Sequence, residues 1–246
     1  MSTANPQAAI VTGSSRGIGR AIALRLANDG LAVVINYAGN QGAATEVVKL
    51  IESQGGRAVA IQGDVSKKED VVRLFGETER IFGGIHGLVN NAGTLTMKPL
   101  VDTDDETFDR TFDINVRGVF LTLREAAKCL SKGGRIVNLS SSVLPMALPG
   151  YAAYAASKAA VEAFTKILAK ELRGREITVN AVAPGPVATD LFFEGKSPEV
   201  VDRLAKLNPF ERIGEPEDIA RVVSFLLGPD GGWVNAQILR ANGGMI

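Results

Sequence analysis

Two side chains with complementary proton chemistry, Tyr154 and Lys158, lie four residues apart in the segment 154–158 (YAASK). If this segment is helical, both side chains lie on one face of the helix, one turn apart. A free tyrosine has a pKa of about 10, and a neighbouring cation favours the phenolate and lowers that pKa. The spacing predicts that Tyr154 is a general acid or base whose pKa is lowered by Lys158. An ordinary helix with a half-buried tyrosine and a surface lysine fits the same five residues.

The composition argues against several other kinds of site. The 246-residue chain carries 27 basic and 27 acidic residues without a block of like charge, which gives no support for a nucleic-acid or membrane-surface partner. One cysteine, Cys129, excludes an internal disulfide, and together with a single histidine, His86, it argues against a metal site. We find no secretory signal and no apolar stretch of membrane-spanning length. We therefore expect a metal-free cytoplasmic protein with no nucleic-acid or membrane partner.

Short apolar runs alternate with amphipathic segments along most of the chain. The predicted strands are 8–11, 32–36, 58–62, 87–90, 135–139, 177–182 and 237–240. The predicted helices are 17–28, 43–53, 67–82, 104–131, 152–173 and 217–227. Strict alternation of this kind predicts one doubly wound α/β domain over residues 1–246, with a seven-stranded parallel sheet and helices on both faces.

The alternation breaks once, between Pro184 and Pro216, where prolines, glycines and the apolar residues 191–193 interrupt it. Ligands of doubly wound folds bind outside the carboxyl ends of the strands, and this insertion follows such an end. We therefore predict a substrate lid around 186–215, although a surface loop over a small satellite core fits the same pattern. The predicted substrate pocket is apolar, has no charged anchor, and is framed by Val143, Leu144, Met146, Leu191 and Phe192.

A glycine-rich turn, residues 12–19 (TGSSRGIG), links the first predicted strand to the first predicted helix. Glycines let the backbone approach a ligand closely, and a helix N-terminus offers free N–H groups and a partial positive charge. The glycine spacing differs from the G-x-G-x-x-G fingerprint, and no Lys-Ser or Lys-Thr follows, as a Walker A loop requires. Because the turn lies between the first strand and the first helix, it nevertheless favours a dinucleotide pyrophosphate site. The alternative is a purely structural turn.

The end of the second strand indicates which nicotinamide cofactor binds. An NAD site usually places an acid there, but this region contains Asn36 and Tyr37, and no acid lies between Asp29 and Glu46. Arg16, inside the glycine-rich turn, could bind a 2′-phosphate through its guanidinium, although a solvated loop arginine is the alternative. The missing acid and the available arginine together favour NADP(H) over NAD.

These motifs resemble those of the short-chain dehydrogenase/reductase family over nearly the whole chain. Residues 12–19 match its TGxxxGxG turn, and residues 90–93 match its NNAG motif. The pair Tyr154 and Lys158 matches its YxxxK motif, and residues 184–185 match its PG motif. The closest resemblance is to the 3-oxoacyl-carrier-protein-reductase-like branch, which includes many NADPH-dependent ketone and aldehyde reductases. The resemblance therefore implies a Rossmann-type fold.

The resemblance also implies a catalytic set of four residues. Tyr154 would donate a proton to the substrate carbonyl while hydride moves from the nicotinamide, and Lys158 would hold the nicotinamide ribose. Ser141, thirteen residues before Tyr154, would hydrogen-bond the substrate oxygen, although Ser140 and Ser142 flank it. Asn115 would hold a water that leads protons onward from Lys158.

The implied cofactor site is larger. It comprises Gly13, Ser15, Arg16, Gly17, Ile18, Gly19, Asn36, Tyr37, Asp64, Val65, Asn91, Ala92, Gly93, Tyr154, Lys158, Pro184, Gly185, Val187 and Thr189. Two departures from the family pattern are the absence of a basic residue directly after the second strand and Ala236 where glycine is common.

The sequence thus predicts an NADPH-dependent reductase of a ketone or aldehyde, with a homotetrameric assembly implied by the resemblance. Two alternatives remain at this point. One is an NAD-linked alcohol or sugar dehydrogenase, and the other is a nucleotide-sensing regulator without catalytic activity.

Overall fold

Seven parallel strands form one sheet in the computed structural model of the chain, which describes residues 7–246. They are β1 (Ala8–Val11), β2 (Ala32–Tyr37), β3 (Arg57–Gln62), β4 (Ile85–Asn90), β5 (Leu130–Leu139), β6 (Thr178–Pro184) and β7 (Ile238–Ala241). The order β3-β2-β1-β4-β5-β6-β7 reverses between β1 and β4. A doubly wound sheet binds its ligands at the carboxyl edge of such a switch point.

Ten α-helices surround the sheet within residues 7–246. They are α1 (Gly17–Asn28), α2 (Gln41–Ser53), α3 (Lys68–Phe82), α4 (Asp105–Phe112), α5 (Gly118–Cys129), α6 (Val143–Met146), α7 (Ala152–Glu171), α8 (Asp190–Phe193), α9 (Pro198–Ala205) and α10 (Pro216–Leu227). Helices α1, α2 and α10 cover one face of the sheet, and helices α3, α5 and α7 cover the other. Each face has its own apolar core. The predicted fold class is confirmed. No helix in the described part of the chain is both long and apolar enough to cross a membrane.

The predicted helix 104–131 is wrong in its middle and at its end. A π-helical turn, Asp113–Arg117, separates α4 from α5. Apolar periodicity does not reveal such a turn, because a π-turn adds a single residue to the helix. Strand β5 also begins five residues before the predicted start, since Leu130 already pairs with Ile85. The polar, glycine-containing residues 131–134 resemble a turn in sequence.

The segment between β6 and α10, where the predicted alternation breaks, is partly helical. It contains α8 and α9. Its two ends are joined by a single parallel bridge between Val187 and Gly214. The Gly214 N–H donates to the Pro186 carbonyl at 2.9 Å, and the Ala188 N–H donates to the Gly214 carbonyl at 2.8 Å. Helices of four and eight residues are too short to show a clear 3.6-residue period in the sequence.

Candidate active site

The turn between β1 and α1 is held closely against the end of β4. A Cβ on Gly19 would lie 2.4 Å from Asn91 Nδ2 and 2.6 Å from the Gly13 carbonyl oxygen, so only glycine fits there. Gly13 has a φ of +60°, and a Cβ there would lie 2.9 Å from Ala92 Cα. We call this region, with the residues that brace it, the glycine cradle: Thr12, Gly13, Gly19, Asn36 and Asn91.

Buried polar side chains brace the glycine cradle. The Asn91 side chain donates to the carbonyls of Thr12 at 2.9 Å and Gly13 at 3.0 Å. Asn36, which is 1% exposed, accepts from the Gly13 N–H at 3.3 Å and donates to the Gly63 carbonyl at 3.0 Å. These bonds connect the ends of β1, β2, β3 and β4, and fix the backbone of the turn.

The glycine cradle fits a dinucleotide pyrophosphate. Helix α1 begins after Arg16, whose side chain makes no capping hydrogen bond. The first N–H groups of α1 are therefore available to an anion, and the helix dipole favours negative charge at this position. The exposed Arg16 side chain lies in the wall of the same cavity.

One cavity of about 1100 Å³ collects the predicted site residues. Its wall includes Gly13, Ser15, Arg16, Gly17, Ile18, Gly19, Asn36, Tyr37, Asp64, Val65, Asn91, Ala92, Gly93, Ser141, Tyr154, Lys158, Pro184, Gly185, Val187 and Thr189. Among the predicted catalytic and cofactor-binding residues, Asn115 alone does not line it. The cavity therefore runs from the glycine cradle, across the ends of β4 to β6, to the start of α7.

Tyr154 and Lys158 both lie in the cavity wall, on adjacent turns of α7. Lys158 is 5% exposed, and its Nζ donates to the Leu139 carbonyl at 2.7 Å. The same nitrogen lies 5.6 Å from the centroid of the Tyr154 ring. Helix α7 is held in place by a buried amide chain, in which Asn138 donates to Thr165 at 2.9 Å and accepts from Asn90 at 2.9 Å.

The predicted lowering of the Tyr154 pKa is wrong for this structure. Burial of the phenol raises the pKa of Tyr154 to about 12, and the Ser141 hydroxyl, which acts in the opposite direction, has the smaller effect. Burial also lowers the pKa of Lys158 to about 8, and no carboxylate among residues 7–246 offsets this desolvation. Sequence spacing reveals the pair, but desolvation depends on the whole tertiary structure.

Three consecutive serines follow β5, and the structure distinguishes between them. Ser140 is buried and donates to Glu162 Oε1 at 2.7 Å, whereas Ser142 is buried and donates to the Ala183 carbonyl at 3.0 Å. Ser141 is half-buried in the cavity wall, and its oxygen accepts from the Val143 N–H at 3.2 Å. The Ser141 hydroxyl also acts on the Tyr154 phenol, so the two hydroxyls are close together in the cavity wall.

Asn115 lies behind the cavity wall. Its Oδ1 accepts from the Thr94 N–H at 2.8 Å, and its Nδ2 donates to the Thr94 carbonyl at 2.9 Å and Ser157 Oγ at 3.1 Å. Ser157 in turn donates to the Tyr154 carbonyl at 2.6 Å. The π-helical turn thus lets Asn115 join the segment after β4 to the first turn of α7.

A second part of the cavity is built from larger side chains. We call it the apolar wall: Val143, Met146, Leu148, Tyr151, Leu191 and Phe192. It comes from α6, from the segment before α7, and from α8. Leu144, which was predicted to belong to this pocket, is not part of the cavity wall.

Comparisons with known proteins agree with this geometry. A model of the family described as Enoyl-(Acyl carrier protein) reductase matches residues 13–246. A short-chain type dehydrogenase/reductase of Picea abies is 52% identical over 248 residues, covering 97% of this chain and 92% of the relative. The chain belongs to the short-chain dehydrogenase/reductase family. This result confirms the predicted family, and the description of the matching model is consistent with the predicted 3-oxoacyl-carrier-protein-reductase-like branch.

Two further relatives of this dehydrogenase/reductase have names that mention a cofactor. An NADPH-dependent aldehyde reductase-like protein, chloroplastic, of Arabidopsis thaliana is 48% identical, covering 97% of this chain and 93% of the relative. The structure of a short-chain dehydrogenase from Burkholderia cenocepacia in complex with NADP is 38% identical, covers 99% of both chains and has a TM-score of 0.92.

Several cavity residues of this dehydrogenase/reductase were not predicted from its sequence. The cavity wall also includes charged side chains that the sequence did not place there: Asp104, Glu106, Arg110, Asp190, Glu194 and Lys196. No local pattern places α4 or the segment after α8 beside the cavity. Tyr151 could have been found, since it precedes Tyr154 by three residues and residues at this spacing are neighbours on a helix surface.

Proposed function

We propose that this protein is an NADPH-dependent carbonyl reductase that converts a ketone or aldehyde to the alcohol. The proposal is carried by one observation: the wall of a single cavity contains every residue of the glycine cradle except Thr12, together with Ser141, Tyr154 and Lys158. The cradle fits a dinucleotide, and the other three side chains offer a proton donor, a hydrogen-bond donor and a cation. The names of the relatives support this reaction class.

The proposed reaction adds a hydride to the carbonyl carbon and a proton to the carbonyl oxygen. NADPH supplies the hydride. The Tyr154 O–H bond breaks and its proton passes to the substrate oxygen, while the Ser141 hydroxyl donates a hydrogen bond to that oxygen as negative charge develops. A Tyr154 pKa of about 12 keeps the phenol protonated at neutral pH, which is the form that reduction requires.

Lys158 supports this step in two ways under the proposal. Its ammonium, 5.6 Å from the Tyr154 ring centroid, stabilises the phenolate that forms when the proton leaves. Its Nζ has donor capacity beyond the bond to the Leu139 carbonyl, which it can use to hold the nicotinamide ribose. Asn115 acts indirectly, through Ser157, by fixing the backbone of Tyr154.

The preference for NADP(H) rests on the end of β2. Asn36 and Tyr37 line the cavity where an NAD site usually has an acid, so no carboxylate there would repel a 2′-phosphate. The exposed guanidinium of Arg16 lies in the same wall and can bind that phosphate.

We also propose that the chain is a single domain with a substrate lid over residues 186–215. The base of this segment is closed by the Val187–Gly214 bridge. Thr189, which caps α8, lies against the turn, because a Cβ on Gly17 would be 3.4 Å from Thr189 Cγ2. Movement of α8 would therefore cover or uncover both the cradle and the reacting side chains.

The homotetramer and the cytoplasmic location belong to the same proposal. Phe120 on α5 and Ile167 on α7 are 45% and 56% exposed, and a partner subunit would cover them. The apolar residues Val161, Phe164, Leu168 and Leu172, by contrast, belong to or pack against the core. Sedimentation measures the assembly, and imaging of the tagged protein measures its location.

A substrate panel tests the proposed activity. Purified protein is mixed with NADPH and an aryl ketone, a β-keto ester, an aliphatic aldehyde or an acyl thioester, and cofactor oxidation is followed by absorbance. We expect steady oxidation with at least one carbonyl compound and slower oxidation when NADH replaces NADPH. No carbonyl-dependent oxidation with any member of the panel would contradict the proposed function.

A further inference from the structure

Tyr151 is a second phenol in the cavity wall, beside the reacting one. Its ring lies 6.4 Å from the Tyr154 ring, centroid to centroid, at an interplanar angle of 63°. Both rings line the same cavity, and Tyr151 is half-buried. A hydroxyl at this place can reach a substrate whose carbonyl is bound at Tyr154.

The backbone of Tyr151 is fixed on both sides. The Lys98 N–H donates to the Gly150 carbonyl at 3.0 Å, and the Ala155 N–H donates to the Tyr151 carbonyl at 2.7 Å. Tyr151 is the N-cap residue of α7, but its side chain takes no part in capping. The position of the ring is therefore set by the start of the helix, and its hydroxyl has no role in holding that start.

The Tyr151 hydroxyl has no hydrogen-bond partner among residues 7–246. Burial raises the pKa of Tyr151, so the phenol stays protonated and remains a donor at neutral pH. The Tyr151 hydroxyl is not a buried unpaired atom and is therefore open to the cavity, where a ligand with an acceptor oxygen can bind it in place of water. Val143, Met146 and Leu148 in the same wall offer no polar side-chain atom apart from the weakly accepting sulfur of Met146.

We propose that Tyr151 binds the substrate by donating a hydrogen bond to a second oxygen, so that the preferred substrates carry an ester, ketone or hydroxyl oxygen close to the reacting carbonyl. This inference rests on the proposed carbonyl reductase activity and specifies its substrate class. Tyr154 and Ser141 bind the reacting oxygen, and Tyr151 binds the other one. A site that donates to such an oxygen discriminates against analogues that lack it.

A pair of substrates and one substitution test this assignment. Ethyl 3-oxobutanoate is compared with 2-heptanone, which has the same chain length but no ester. The ratio of their kcat/KM values with NADPH is measured for the unaltered protein and for Tyr151→Phe, which removes only the hydroxyl. Because the ester also activates the ketone chemically, the informative quantity is the change in this ratio between the two proteins.

We expect the ratio to fall about tenfold in Tyr151→Phe, as the loss of one hydrogen bond predicts. Met146→Leu, a similar-sized change in the same wall that removes no hydrogen-bond donor, serves as the control, and the ratio should fall far less in this variant than in Tyr151→Phe. If both substrates are reduced and Tyr151→Phe keeps the original ratio, Tyr151 has no such role and the reductase activity stands. If NADPH is oxidised with neither substrate nor any other carbonyl compound, the proposed function fails, and this inference fails with it.

Discussion

The glycine cradle and the apolar wall line the same cavity but are built in different ways. In the cradle, backbone atoms and buried amides form the surface, and Gly19 leaves no room for even a Cβ. In the apolar wall, side chains form the surface, and Leu191 is 40% exposed. At its tightest positions the cradle accepts only glycine, whereas side chains of the apolar wall can be substituted with little effect on the fold.

This contrast separates two kinds of function. A surface made of backbone can recognise a group that is the same in every reaction, such as a pyrophosphate. A surface made of side chains can be adapted to different substrates by substitution of those side chains. Substitutions in the cradle should therefore alter cofactor binding or stability, and substitutions in the wall should alter substrate selection alone.

Among the tests that compare the two regions, the largest expected effect is on the cofactor side. Arg16→Gln removes the guanidinium proposed to bind the 2′-phosphate, and charge-assisted hydrogen bonds contribute about 1.5–3 kcal/mol. We expect the Kd for NADPH to rise at least about tenfold while the Kd for NADH stays unchanged, as measured by fluorescence titration. Equal weakening of both cofactors would show that Arg16 does not read the 2′-phosphate.

The next effect tests the rigidity of the cradle. Gly19→Ala places a Cβ 2.4 Å from Asn91 Nδ2, and overpacking of this kind lowers the free energy of unfolding by about 1–3 kcal/mol. Gly76→Ala in α3 is the matched control, because a Cβ there meets nothing within 4 Å and should stabilise the helix by about 0.5–1 kcal/mol. Urea unfolding measures both. A cradle variant as stable as its control would contradict the packing argument.

A pH profile tests Lys158, a cavity residue that belongs to neither the cradle nor the apolar wall. Lys158 has a pKa of about 8, below its usual value, so its ammonium is present below that pH and is lost above it. Because kcat/KM for NADPH reports groups of the free enzyme, it should fall above pH 8, approaching about tenfold per pH unit. Lys158→Arg, which stays charged, should shift the decline to higher pH. A profile that is identical in both proteins would assign the decline to another group.

The smallest effect belongs to the apolar wall. Leu191→Ala should raise KM for the carbonyl substrate several-fold, because part of an apolar contact is lost. The free energy of unfolding should change by less than about 0.5 kcal/mol, since Leu191 is 40% exposed. The Kd for NADPH should not change. A large loss of NADPH affinity would show that the wall and the cradle are not separate.

The same contrast explains what the sequence could predict. The alternation of buried strands and helices determines the sheet, and the spacing of Gly13, Gly17 and Gly19 marks the turn because backbone geometry requires glycine. The π-helical turn at Asn115 was not predictable, since its helical periodicity is nearly that of an α-helix.

Properties that arise from tertiary packing were also missed. The raised pKa of Tyr154 depends on burial by distant segments, and the placement of Arg110 and Lys196 in the cavity depends on how α4 and α8 pack. Tyr151 was overlooked although its spacing from Tyr154 was visible. Sequence spacing thus identifies candidate pairs, but it does not show which other side chains share their cavity.

The most direct test of the account is the paired measurement of turnover and NADPH affinity in Tyr154→Phe. The substitution removes the proton donor and leaves the ring, so kcat for the carbonyl substrate should fall by about a thousandfold while the Kd for NADPH is unchanged. A variant that keeps most of its turnover would contradict the assignment of Tyr154 as the acid and, with it, the central claim about this site.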